Sequence, residues 1–145
     1  MGNNQIIIII LIDSRIINSS IIVSEDASVV NQLTDILMQH DYTVTIEKSI
    51  VKFISSMLEK EISLLILDLD QPQGANFDSI DIIRKLRPRL PIIVLSADSS
   101  LEMLKILAQK GVFYTASKPI QAEEIEEVIQ AISLPHAKKS ISFIA

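Results

Sequence analysis

The sequence predicts a single-domain α/β fold built on a parallel β-sheet. From residue 21 onward, short apolar runs alternate with segments of helical period, the pattern of consecutive βαβ units. Two of these runs, LLIL at 64–67 and IIVL at 92–95, are wholly apolar, as expected for strands that are covered on both faces. At 145 residues the chain is long enough for one domain with a substantial core.

The first half of the chain predicts three strands and two helices. Strands are expected at about 21–24, at 43–46 and in the run that ends at Asp68. The first helix ends at His40 and Asp41, and the second spans about 49–60. The apolar positions that recur at helical spacing are Val29, Val30, Leu33, Ile36 and Leu37 in the first helix, and Ile50, Phe53, Ile54, Met57 and Leu58 in the second.

The second half predicts two more strands, at 92–96 and about 112–116, and three helices. The third helix must end near Arg87, because Pro88 disfavours helical geometry in the residue before it. Ser99 with Glu102 has the form of a capping box that starts the fourth helix, and Gly111 closes that helix. The last helix carries two glutamates in its first turn, and a proline at 135 marks the end of the domain.

Both ends of the chain lie outside this alternation. Residues 1–19 form an apolar extension, 20–134 the domain and 135–145 a short tail. The run Ile6 to Ile12 is too short to span a membrane, which takes about 20 apolar residues, so we interpret it as an extra strand. It is either an accidental edge strand or a homodimerisation strand that pairs with its copy or with the tail.

Composition narrows the classes of function. The net charge is −5 and no long basic run is present, which argues against direct nucleic-acid binding. No cysteine is present, so disulfides and thiolate metal sites are excluded. Without a predicted membrane segment, the expected location is the cytoplasm, and no membrane partner is expected.

Chemically useful side chains follow four of the predicted strands. The carboxyl ends of parallel strands meet at one edge of a sheet, where open α/β folds bind their ligands. Three carboxylates, a hydroxyl and an ammonium at that edge can hold a divalent cation and a phosphoryl group. These side chains belong to Glu25, Asp26, Asp68, Ser96 and Lys118, and Lys118 is followed by Pro119.

This ordered set resembles a response-regulator receiver domain, the phosphoacceptor of two-component signalling, over about residues 20–134. The resemblance implies a doubly wound sheet in the order 2-1-3-4-5 with helices on both faces. It implies that Asp68 accepts the phosphoryl group and that Mg²⁺, or Mn²⁺ as a substitute, binds Asp26, Asp68 and the backbone carbonyl of Asp70, with Glu25 acting through a water. It further implies that Ser96 and Lys118 contact the phosphoryl group.

The resemblance also implies a cis Lys118–Pro119 bond and a set of partners. The phosphodonor would be a histidine kinase or a phosphotransfer protein, and the output would pass to a downstream effector protein. The chain would then be a signalling protein with its own phosphorylation and dephosphorylation chemistry, rather than a turnover enzyme.

Several positions depart from the family pattern. The switch position is Thr115 where an aromatic residue is common, with Tyr114 one place early, and the loop after Asp68 holds about three extra residues. Two acidic residues, Asp70 and Asp98, each lie two positions beyond a site residue, and we hypothesise that they tune hydrolysis of the phosphoryl group.

Two other functions stay open on the sequence. A degenerate receiver would act as an interaction module without phosphorylation. A phosphatase of the haloacid-dehalogenase kind would use LLILDLDQ as its nucleophile motif, although the acidic pair here lies upstream and not downstream as that family requires.

Overall fold

The computed structural model describes residues 18–71 and 76–133, in which five strands alternate with five helices. Two segments that carry sequence-based predictions, the apolar extension before residue 18 and the tail after residue 133, lie outside the described residues, as do residues 72–75 of the loop after Asp68. The elements are β1 (Asn18–Val23), α1 (Ala27–Gln39), β2 (Tyr42–Glu47), α2 (Ile50–Glu59), β3 (Leu64–Asp68), α3 (Phe77–Leu86), β4 (Ile92–Ser96), α4 (Leu101–Gln109), β5 (Tyr114–Ser117) and α5 (Ala122–Ser133).

The strands form one parallel sheet in the order β2-β1-β3-β4-β5, as predicted. The register pairs Val23 with Leu67 and Asp68 with Leu95, so the carboxyl ends of β1, β3 and β4 lie at the same level. The central strands β3 and β4 are buried at every position, which explains why every residue before the last one in each strand is apolar.

Two apolar layers cover the two faces of the sheet, because successive strand residues point to opposite sides. One layer packs Ile22, Ile66 and Ile93 against α1 and α5. The other packs the intervening strand residues against α2, α3 and α4. The doubly wound arrangement therefore follows from strands that are apolar on both faces. No helix in the described ranges is long and apolar enough to cross a membrane.

Helix boundaries agree with the predictions except at one cap. Arg87 is the C-cap of α3, as Pro88 requires, and Gly111 follows α4 with a φ of 80°. The N-cap of α4 is Ser100, whose Oγ accepts a hydrogen bond from the Met103 N–H, so the prediction of Ser99 as the cap is wrong. The reason is local: the carboxylate two residues before Ser100 accepts the Ser100 N–H at 2.9 Å and holds this serine, not its neighbour, in the capping position.

The last strand begins two residues later than predicted. The Val112 N–H donates to Leu107 O and so belongs to the turn that ends α4, while the Phe113 N–H starts the ladder by donating to Ile92 O. The ladder then pairs Ser117 with Ser96 and continues with the Lys118 N–H donating to Ser96 O at 3.2 Å. This extension fixes the residue after β5 beside the end of β4.

Candidate functional site

The centre of the site is the carboxylate of Asp68, which is 0% exposed at the end of β3. Its Oδ1 accepts hydrogen bonds from Lys118 Nζ at 2.6 Å and from the Asp70 N–H at 3.2 Å. Its Oδ2 accepts a hydrogen bond from the hydroxyl of Ser24 at 2.8 Å. A buried carboxylate is costly unless it is paired and hydrogen-bonded, and these three donors from three strand ends meet that requirement.

The ammonium of Lys118 is shared between two carboxylates. It lies 2.6 Å from Asp68 Oδ1 and 3.1 Å from Asp70 Oδ2. Burial opposes its charged form, but the hydrogen bonds and charges of the two carboxylates outweigh that effect and raise the pKa of Lys118 above its ordinary value. The following bond, Lys118–Pro119, is cis, as the resemblance implied. Lys118 is therefore a firmly charged group at the sheet edge.

Two polar groups from the end of β4 complete the edge, the hydroxyl of Ser96 and the N–H of Ala97. The buried hydroxyl of Ser96 accepts the Asp98 N–H at 3.1 Å, and this bond uses an oxygen lone pair, not the hydroxyl proton. The Ala97 N–H donates to Asp70 Oδ2 at 2.8 Å. The exposed carboxylate of Asp98 accepts hydrogen bonds from Ser100, and these hydrogen bonds lower the pKa of Asp98.

The end of β1 contributes a residue that the sequence did not single out. Ser24 is 1% exposed, donates to Asp68 and accepts the Asp26 N–H at 3.0 Å. Its signal in the sequence is the one that identified Ser96, a hydroxyl directly after an apolar strand. Asp26 serves as the N-cap of α1, with its Oδ1 accepting the N–H groups of Ser28 and Val29.

The fit of a divalent cation can be judged from the oxygens present. Within residues 18–71 and 76–133, no three His, Cys, Asp or Glu side chains surround a common point as metal ligands. Glu25 is exposed, and the second carboxylate oxygen of Asp26 does not cap α1 and can serve as a metal ligand. With Asp68 and the Asp70 carbonyl, the donor set consists of oxygens only, which suits Mg²⁺ chemically.

Thr115, the predicted switch position, and its neighbour Tyr114 lie in different surroundings. Thr115 is partly buried on β5 and pairs with Val94, while Tyr114 packs against the layer formed with α1 and α5. Because strand residues alternate, the two side chains lie on opposite faces of the sheet. Burial, followed by the charge and hydrogen bond of Glu124, raises the pKa of Tyr114. The ring is thereby tied to α5 and not to the helix on the other face.

Comparison with known proteins identifies the family of this chain. The family model described as "Response regulator receiver domain" matches residues 21–130. A curated relative, the DNA-binding transcriptional regulator NtrC of Bradyrhizobium sp., is 24% identical over 123 residues, which are 84% of this chain but 26% of that protein. The chain thus spans about a quarter of the length of this relative.

Solved structures agree on the fold. The response regulator receiver domain protein (CheY-like) of Methanospirillum hungatei superposes with a TM-score of 0.75 at 20% identity, covering 86% of this chain and 98% of that one. The BeF3-activated DrrB receiver domain gives a TM-score of 0.72 at 18% identity, covering 80% of this chain and 97% of that one. At these identities the likeness shows the fold alone.

Proposed function

Because this chain belongs to the response regulator receiver domain family, we propose that it accepts a phosphoryl group on Asp68 and passes the signal on through protein–protein contacts. The observation that carries the proposal is the Asp68 carboxylate, fully buried and held 2.6 Å from the ammonium of Lys118 at the carboxyl edge of the sheet. A carboxylate oriented by fixed donors is a ready nucleophile, and a lysine beside it supplies charge where phosphoryl oxygens would lie.

The chemistry follows from the positions of the donors. A carboxylate oxygen of Asp68 forms a bond to phosphorus while the bond from phosphorus to the donor's leaving group breaks, and the leaving group keeps the electron pair. Lys118 and Ser96 lie at the same sheet edge, so the ammonium can offset the negative charge of one phosphoryl oxygen while the Ser96 hydroxyl donates a hydrogen bond to another. Catalysis of this kind consists mainly of positioning and charge neutralisation.

A magnesium ion would be held by Asp26, Asp68 and the backbone carbonyl of Asp70, with Glu25 acting through a water, and Mn²⁺ could replace it. When bound, the ion supplies positive charge that offsets the crowded carboxylates. The phosphodonor would be a histidine kinase or a phosphotransfer protein, and the signal would pass to a downstream effector protein. The protein would act in the cytoplasm. Self-association through the N-terminal extension remains a proposal.

A second candidate is a phosphorylation-independent interaction module. Two observations favour it. The acidic side chains of the described residues do not surround a common point where a metal ion could bind, and the Asp26 carboxylate caps α1. The match to the receiver family, by contrast, decides against a phosphatase of the haloacid-dehalogenase kind.

The test is incubation with magnesium and acetyl phosphate, followed by intact-mass measurement, with Asp68→Asn as the matched control. One base-labile phosphoryl adduct in the wild type and none in the variant is the expected result. If the wild type forms no adduct and does not bind beryllofluoride, the interaction module replaces phosphorylation as the function.

A further inference from the structure

The carboxylate of Asp70 accepts hydrogen bonds from the groups that an incoming anion would need as donors. Its Oδ2 accepts the Ala97 N–H at 2.8 Å and lies 3.1 Å from Lys118 Nζ. These donors come from the ends of two different strands, and the same ammonium contacts the phosphoacceptor candidate Asp68. The Asp70 carboxylate thus already lies where the oxygens of a bound anion, such as a phosphoryl group, would lie at the sheet edge.

The local chain holds Asp70 close to this position but does not bury it there. Its backbone N–H is bound to Asp68 Oδ1 at 3.2 Å, which keeps the residue beside the centre, while its side chain is 32% exposed. Because this carboxylate is already partly hydrated, its release into solvent costs the contacts with Ala97 and Lys118 but gains hydration. The Ala97 N–H and one of the three N–H donors of the Lys118 ammonium would then be available to the oxygens of another anion, while the ammonium keeps its contact with Asp68.

We propose that Asp70 is a built-in competitor for the oxyanion site formed by Lys118 Nζ and the Ala97 N–H. This inference rests on the proposed phosphoryl acceptance by Asp68 for its biological meaning, but the competition itself concerns any tetrahedral oxyanion. An arriving phosphoryl group must displace the Asp70 carboxylate, both because the donors are the same and because like charges repel. Asp70 therefore slows phosphorylation, and the release of its carboxylate from Lys118 and Ala97 accompanies phosphorylation.

Replacement by asparagine separates charge from structure. Asp70→Asn keeps an oxygen that can accept the Ala97 N–H, so a purely structural role predicts no change, whereas a competing charge is lost. Asp98→Asn is the matched control, because it also removes one negative charge two residues after a strand-end site residue, whereas the Asp98 carboxylate accepts from Ser100 and not from Ala97 or Lys118. Asp70→Ala is the second variant, and circular dichroism checks that each variant is folded.

The probe is inorganic phosphate without metal, titrated against each labelled protein while the Ala97 amide resonance is followed by NMR. We expect Asp70→Asn and Asp70→Ala to bind phosphate about tenfold more tightly than the wild type, as expected for the loss of a charge-assisted contact, and Asp98→Asn to differ less than twofold. Equal phosphate affinities for the Asp70 and Asp98 variants would overturn the proposal, because the loss of any nearby negative charge would then explain the tighter binding.

A parallel measurement of phosphorylation by acetyl phosphate with magnesium distinguishes the two levels of the argument. Faster phosphorylation of Asp70→Asn than of the wild type is expected. Tighter phosphate binding with no adduct in any protein would refute phosphoryl acceptance and leave the competing carboxylate standing. Normal phosphorylation with unchanged phosphate affinity would refute the competitor and leave phosphoryl acceptance intact.

Discussion

Removal of the Ser24 hydroxyl is the sharpest test of how the site is held together. In Ser24→Ala the Asp68 Oδ2 loses its hydroxyl donor at 2.8 Å, and the Asp26 N–H loses its acceptor at 3.0 Å. Ser20→Ala is the matched control, because Ser20 lies on β1, which Ser24 directly follows, is also 1% exposed, and donates to the neutral carbonyl of Thr43 at 2.9 Å. The two substitutions delete the same atom from equally buried positions.

The partners differ in charge, and this difference sets the expected magnitudes. A hydrogen bond to a charged group contributes about 1.5–3 kcal/mol, and a neutral one about 1 kcal/mol. With the second, backbone bond included, we expect Ser24→Ala to lower the free energy of unfolding by about 3 kcal/mol and Ser20→Ala to lower it by about 1 kcal/mol. For a chain of this size the larger loss corresponds to a fall in Tm of roughly 9 °C.

The assay is urea denaturation at neutral pH in the presence of a chelator, so that no metal contributes to stability. Combining Ser24→Ala with Asp68→Asn in a double-mutant cycle isolates the contact, and a coupling energy of about 1–2 kcal/mol is expected. Losses for the two serine variants that agree within about 0.5 kcal/mol, together with no coupling, would refute the charge-assisted bond from which these magnitudes are worked.

Three further outcomes are expected. Lys118→Met should lower the free energy of unfolding by about 3 kcal/mol, because it leaves a buried carboxylate without its cation; urea denaturation measures this, and a loss below about 1 kcal/mol would contradict the buried pair. Gly111→Ala should cost about 1–2 kcal/mol in the same assay, since φ is +80° and the new Cβ would lie 3.2 Å from Arg84 Nε; an unchanged midpoint would contradict this strain. The pKa of Tyr114 should lie above its ordinary value near 10, so the folded state binds the phenol proton more tightly and loses stability as the pH rises from about 10 through the raised pKa. Ultraviolet titration measures this pKa once the other tyrosine has been replaced by phenylalanine, and Glu124→Gln should lower it. An identical titration curve in this variant would count against the contact between Tyr114 and Glu124.

Much of the fold could be predicted because its determinants are local or periodic. The apolar runs of β3 and β4 and the helical spacing between them predict parallel strands with helices, and Pro88 predicts the end of α3. The cap of α4 could not be predicted reliably, because Ser99 and Ser100 both suit the role and the choice depends on which backbone N–H the preceding carboxylate binds.

The candidate site divides in the same way. The sequence by itself determined that Asp68, Ser96 and Lys118 lie at the carboxyl ends of strands, and parallel strands bring such residues to one edge. Only the tertiary structure decided which atoms meet: Ser24 lies 44 residues from Asp68 and Lys118 lies 50 residues from it, and the strand register sets these pairs at hydrogen-bonding distance. Apolar periodicity carries no information about which oxygen a donor reaches, because that depends on ångström-scale geometry across the sheet. For the same reason, only the folded structure shows that the Asp70 carboxylate is a second partner of the Lys118 ammonium.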